Sequence, residues 1–137
     1  MTARTSYTFG GLSAGTSYAF AVRPYANYHG KIIYSKTYKS VSSFTKPLKS
    51  AKMYTVASGY TAIKTSWTKS VGATGYSVYK VVGGKYVKVA NVTTNTYTFA
   101  GLKRNTAYKF VVRPYKIAGG QVAYSDGITA LSTRTKR

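Results

Sequence analysis

The chain has 137 residues, of which 21 are Lys or Arg and one, Asp126, is an acid, so its formal charge is 21 − 1 = +20; it has one His and no Cys. One acid excludes chemistry that needs paired carboxylates, and one His without Cys excludes metal centres built from several such ligands. A nucleophilic triad has only His29 and Asp126 to draw on, and these read as a loop His and a turn Asp, so the chain is expected to be no enzyme and to need no cofactor. The length suits one ordinary domain or two small ones. Nineteen Thr, 15 Tyr and 13 Val against four Leu favour strands over helices, and 44% apolar residues argue against disorder.

Along the chain, the first element, Tyr7-Thr-Phe-Gly-Gly-Leu12, returns as Tyr97-Thr-Phe-Ala-Gly-Leu102. Val22-Arg-Pro-Tyr25 returns as Val112-Arg-Pro-Tyr115, and Tyr34-Ser35 as Tyr124-Ser125. Each pair is offset by 90, and the ungapped window from 7 to 47 holds 18 identities in 41 positions. A repeat of that length makes 48–137 one complete unit and 1–47 the second half of a preceding one.

Within the complete unit the period is two. Ile63, Thr65 and Trp67 alternate with Lys64 and Ser66; Tyr108, Phe110 and Val112 alternate with Lys109, Val111 and Arg113. Such alternation marks half-buried antiparallel strands. Turn residues, among them the pairs Gly83-Gly84 and Gly119-Gly120, separate strands expected at 51–57, 61–68, 75–82, 85–90, 96–100, 106–116 and 121–133. Seven short strands at this spacing predict an all-β, immunoglobulin-like antiparallel β-sandwich.

Leu102-x-x-x-Thr106-x-Tyr108, followed by Phe110 and Val112, resembles the tyrosine corner and F strand of fibronectin type III domains. Thr65-Ser-Trp67 is similar to that family's buried B-strand Trp, and Gly72-Ala-Thr-Gly-Tyr76-Ser-Val-Tyr79 to its B–C turn and C strand. The first copy repeats the corner as Leu12-x-x-x-Thr16-x-Tyr18. By this resemblance the first copy keeps strands E, F and G and lacks A, B and C. The inner faces of Phe9, Leu12, Tyr18 and Phe20 are then expected to stay wet, so the chain reads as a piece of a longer array. The alternative is that another chain donates the missing half, giving a strand-complemented subunit that self-associates through the incomplete repeat.

Positive charge is scattered, six basic groups in 1–47 and fifteen with Asp126 in 48–137, and it signals an anionic environment or partner. Alternation turns Lys109, Val111, Arg113 and Tyr115 outward on the C–F–G sheet, joined by Ser77 and Tyr79 and possible company from Tyr124. Arg23 and Tyr25 repeat the Arg–Tyr pair. Such residues suit a face that stacks on sugar rings and grips carboxylate or phosphate, hence an anionic polysaccharide or cell-wall polymer. No run reaches the ~18 apolar residues of a membrane-spanning helix, and Met1-Thr-Ala-Arg-Thr-Ser has no apolar core of a signal peptide. The family resemblance implies instead a non-catalytic spacer and interaction module of a secreted or cell-surface protein, in contact with neighbouring domains of the same polypeptide. A nucleic-acid-binding or other intracellular basic protein is the runner-up; recognition helices, zinc fingers and basic tails are missing from the sequence.

Overall fold

The structure, a computed structural model, describes residues 4–137; the first three residues of the N-terminal segment read above lie outside it. Among the described residues twelve strands run in order β1 (Ser17–Val22), β2 (Tyr25–Tyr28), β3 (Lys31–Tyr34), β4 (Lys39–Phe44), β5 (Met53–Ser58), β6 (Ile63–Trp67), β7 (Gly75–Val82), β8 (Lys85–Val92), β9 (Thr96–Phe99), β10 (Ala107–Ala118), β11 (Gln121–Tyr124) and β12 (Thr129–Arg134). The last eight make a sandwich. One sheet is β5-β6-β9; the other is β11-β10-β7-β8 with β12 also on β10, and all pairs are antiparallel.

Period two explains what fills the interior. Met53, Ile63 and Trp67 from one sheet meet Tyr76, Val78, Phe110 and Val112 from the other, with Phe99 and Leu102 completing the core. Phe99 stacks on Phe110 at 3.7 Å, and Trp67 meets Tyr76 edge to face at 5.5 Å. Burying these rings is the main driving force for closing the two sheets. The corner residue Tyr108 accepts the Lys103 N–H at 2.8 Å, and Tyr18 accepts the Ser13 N–H at 2.9 Å. Both glycines of each pair expected in hairpins, Gly83-Gly84 and Gly119-Gly120, have positive φ, as two-residue turns of the I′ kind demand.

One predicted strand is two. The run expected at 121–133 breaks after Tyr124 and resumes at Thr129, so β11 pairs with the second half of β10 and β12 with the first. Pro114 is the cause. Its carbonyl accepts the Ser125 N–H at 3.0 Å, so its nitrogen faces the same edge, where a proline has no N–H to continue the ladder. Pro24, whose carbonyl accepts the Ser35 N–H at 3.0 Å, splits β1 from β2 and β3 from β4 in the same way.

The first repeat copies the register of the second at an offset of 90. Ser17 pairs with Phe44 as Ala107 pairs with Arg134, and Tyr25 pairs with Tyr34 as Tyr115 pairs with Tyr124. Residues 6–9 are not a strand, although their counterparts form β9. β9 exists because β6 pairs with it, and among the described residues 6–9 meet no such partner. Phe9 still stacks on Phe20 at 4.3 Å, as Phe99 does on Phe110, yet Phe9 is 48% exposed where Phe99 is 3%.

The two repeats abut at one end of the sandwich. Lys46 Nζ lies 2.8 Å from Asp126 Oδ1. Gly15 and Gly72 touch through their backbones: a Cβ on Gly72 would fall 2.5 Å from Gly15 Cα.

Candidate functional site

The outward face of the five-stranded sheet is built by three registers. β10 and β7 place Arg113 opposite Ser77 and Val111 opposite Tyr79; β7 and β8 place Tyr79 opposite Lys88 and Val81 opposite Tyr86; β10 and β11 place Tyr115 opposite Tyr124. Cross-strand partners share a face, so these side chains form one surface.

At its centre is a chain of cations and rings. The Arg113 guanidinium lies over the Tyr124 ring at 5.1 Å, Lys88 Nζ over the same ring at 5.7 Å, and Lys88 also reaches Tyr79 at 6.0 Å. Tyr86 continues the row, 6.3 Å from Tyr79, and is 54% exposed. Lys88 further donates to Tyr124 Oη at 3.3 Å. Hydrogen bonding with Ser77, then the bond and charge of Lys88 and the charge of Arg113, hold the Tyr124 phenol below its ordinary value against the opposing effect of burial. Flat rings with cations at their rims offer stacking to a sugar face and charge to its acidic substituents.

The structure treats the sequence-derived residues unequally. Tyr79 and Arg113 join the cluster. Arg113 is partly committed, because its Nε donates to the Ser125 carbonyl at 2.8 Å, which ties β10 across the strand break. Tyr115 faces the expected side but is only 8% exposed, so its expected role in stacking on a ligand does not stand. Its ring covers Gly75, where a Cβ would come within 2.5 Å of Tyr115 Oη, and packs edge to face on Tyr124 at 6.0 Å. Val111, also expected to face outward, is fully buried between its cross-strand partners Tyr79 and Ala130. Lys109 is exposed but stands four residues from Arg113, about 13 Å along the strand. In the first repeat Arg23 lies over Tyr34 at 5.3 Å and donates to the Ser35 carbonyl at 2.6 Å, while Tyr25 is half-buried 6.3 Å from Tyr34. The Arg–Tyr pair therefore fastens a strand in both copies.

Lys88 and Tyr86 escaped the sequence reading. A signal was there: a two-residue turn at Gly83-Gly84 pairs 82 with 85, 81 with 86 and 79 with 88. Past Tyr79 a bulge shifts the register, so that Val78 meets Ala90 and Ser77 meets Asn91. Ser77 is buried and donates to Asn91 Oδ1 at 2.6 Å.

The fibronectin type III domain model matches residues 47–130. Chitinase A1 of Niallia circulans is 30% identical over 91% of the chain, and exoglucanase B of Cellulomonas fimi is 32% identical over 96%. The chain spans 19% and 12% of the lengths of these two relatives. The crystal structure of domains d3–d4 of the rat CD45 extracellular region superposes with a TM-score of 0.56 at 22% identity, covering 97% of this chain and 72% of that one, which shows likeness of fold.

Proposed function

The chain belongs to the fibronectin type III family, and from that premise we propose that it is a non-catalytic spacer and interaction module of a multidomain extracellular protein that works on polysaccharide. Residues 48–137 are one repeat of that module and 1–47 the part of another that corresponds to its second half, a division supported by F- and G-strand registers that coincide at an offset of 90. The relatives named chitinase and exoglucanase support the polysaccharide context. Family and fold alone do not assign a ligand.

The row Tyr86–Tyr79–Lys88–Tyr124–Arg113 carries the finer reading. It is an outward aromatic surface crossed by two cations, on a chain of charge +20. That surface adheres to an anionic cell-wall polymer or acidic polysaccharide: rings take the apolar sugar faces and cations take phosphate or carboxylate.

The test is retention on teichoic-acid-bearing cell walls, with neutral cellulose and duplex DNA as competitors at fixed salt. The K88A and Y79A chains are expected to bind about fivefold to tenfold more weakly each, at roughly 1 kcal/mol per desolvated cation–ring contact. Unchanged retention in both variants rejects the site, and displacement by DNA rather than by soluble teichoic acid turns the reading toward nucleic acid.

A further inference from the structure

The end of the first repeat that meets its neighbour has a counterpart on the second repeat, built by the same hydrogen bonds. In the first, Gly15 donates its N–H to the Lys46 carbonyl at 2.9 Å, Thr16 N–H to Thr45 Oγ1 at 3.0 Å, and Thr45 Oγ1 to the Ser13 carbonyl at 2.6 Å. In the second, Asn105 donates to the Lys136 carbonyl at 2.8 Å, Thr106 N–H to Thr135 Oγ1 at 2.9 Å, and Thr135 Oγ1 to the Lys103 carbonyl at 2.6 Å. The two end plates share a backbone. On the first plate a folded domain is seated, through Gly15 against Gly72.

The side chains differ where that seat is made. Ala14 and Gly15 become Arg104 and Asn105, and Phe44 becomes Arg134. Asn105 keeps the left-handed conformation, φ 48°, that Gly15 has at 55°. The contact that admitted Gly72 leaves no room for a Cβ, so the second plate cannot seat a copy of this repeat as the first plate does.

What the second plate offers is fixed positive charge. Arg104 lies over the Tyr60 ring at 4.8 Å, and Arg134 donates from Nε to Asn105 Oδ1 and from Nη2 to the Asn105 carbonyl, both at 3.1 Å. Lys103 and Lys136, both exposed, flank them, and the Lys136 N–H bonds to the Gly59 carbonyl at 2.9 Å. Asp126 precedes β12 and the plate follows it, so the strand's length, about 20 Å, separates this surface from the chain's one acid.

We infer that the end plate formed by Tyr60, Lys103, Arg104, Asn105, Arg134 and Lys136 docks an acidic protein surface. A protein is indicated because the matching plate of the first repeat carries a folded domain; acidity is indicated because Ala14 and Phe44 of the first plate are replaced by guanidinium groups held in place by a ring and an amide. This surface is distinct from the Lys88 face, so each stands or fails separately.

Titrating the isotope-labelled full chain with poly-L-glutamate, followed by amide NMR, tests it. Shifts are expected to concentrate at 59–60, 103–106 and 134–136, and a chain with R104A and R134A is expected to bind about fivefold to tenfold more weakly at an unchanged melting temperature. Shifts centred on Tyr79, Lys88 and Arg113, or unaltered affinity in the double variant, overturn the inference. Inorganic polyphosphate binding at the plate where poly-L-glutamate does not also overturns it, in favour of a polymer ligand. Concentration-dependent sedimentation abolished by R104A overturns it in favour of a second copy of this chain.

Discussion

Gly15 and Gly72 meet backbone to backbone across the junction of the repeats, each at positive φ, 55° and 79°, and each where an added Cβ would overlap the other's main chain. At this point the junction is a contact between peptide planes. Its geometry therefore follows from the shapes of two turns, the Thr16 corner and the loop between β6 and β7.

Gly15→Ala is expected to open this junction. A Cβ there collides with the Gly72 carbonyl and also places Ala in the left-handed region, at about 1–2 kcal/mol. Residual dipolar couplings should lose the fixed relation between repeats while those within 53–134 stay fitted to one frame. A single frame for the whole variant chain would contradict the contact.

Acid should loosen the same junction. The hydrogen bond from Lys46, then its charge, and more weakly the charge of Arg113, hold the Asp126 carboxyl below its ordinary value of 3.8. A depressed folded value means the pair supports the junction above the ordinary carboxylate range and ceases to as pH falls through the lowered one. Both partners are exposed, so the effect is small and weakens with salt. Amide shifts of Lys46 and Asp126 between pH 6 and 2 should move together, and D126N should abolish the movement at Lys46.

Trp67 separates packing from hydrogen bonding. It is fully buried, and its Nε1 has no hydrogen-bond partner among the described residues. Trp67→Ala should cost about 3–5 kcal/mol in urea unfolding. Trp67→Phe gives up no bond and should cost less than half of that. Equal losses would mean that the indole N–H is bonded in solution.

Tyr108→Phe removes the acceptor for the Lys103 N–H at 2.8 Å and keeps the ring. The bond sits at an exposed corner, so the expected loss is about 1 kcal/mol, read as a lower urea midpoint at unchanged slope.

Tyr124 should ionise earlier than it otherwise would, because on ionisation the Ser77 hydroxyl turns from Asn91 Oδ1 to bond its phenolate, with help from Lys88 and Arg113 after that. Ultraviolet titration of the wild-type chain and of Ser77→Ala should show that early step moving to higher pH in the variant. No change on removing Ser77 would place the phenol elsewhere.

Much of this was legible in the residues. Trp67 and Tyr76 reach the interior because alternation states which side of a strand a residue takes, and Tyr108, a corner Tyr five residues beyond its N–H donor, packs on that core through a local relation. Alternation does not state depth. Tyr115 and Val111 face outward as expected and are buried, since Gly75 leaves a hollow for the Tyr115 ring and Tyr79 flanks Val111 from another strand. Pro114 was visible too, and its missing N–H foretells the break between β11 and β12 once its edge is known.

The sequence by itself determined most of the strands, the 90-residue repeat, the family and the excess of positive charge, because propensity, period and composition are local or additive. Which outward side chains became neighbours was left to the tertiary structure. Lys88 bonds to Tyr124 across 36 residues, and Lys46 to Asp126 across 80. Those meetings depend on sheet register, on a bulge at Val78/Tyr79 and on how one turn seats against another, and each of these is a property of two distant segments at once.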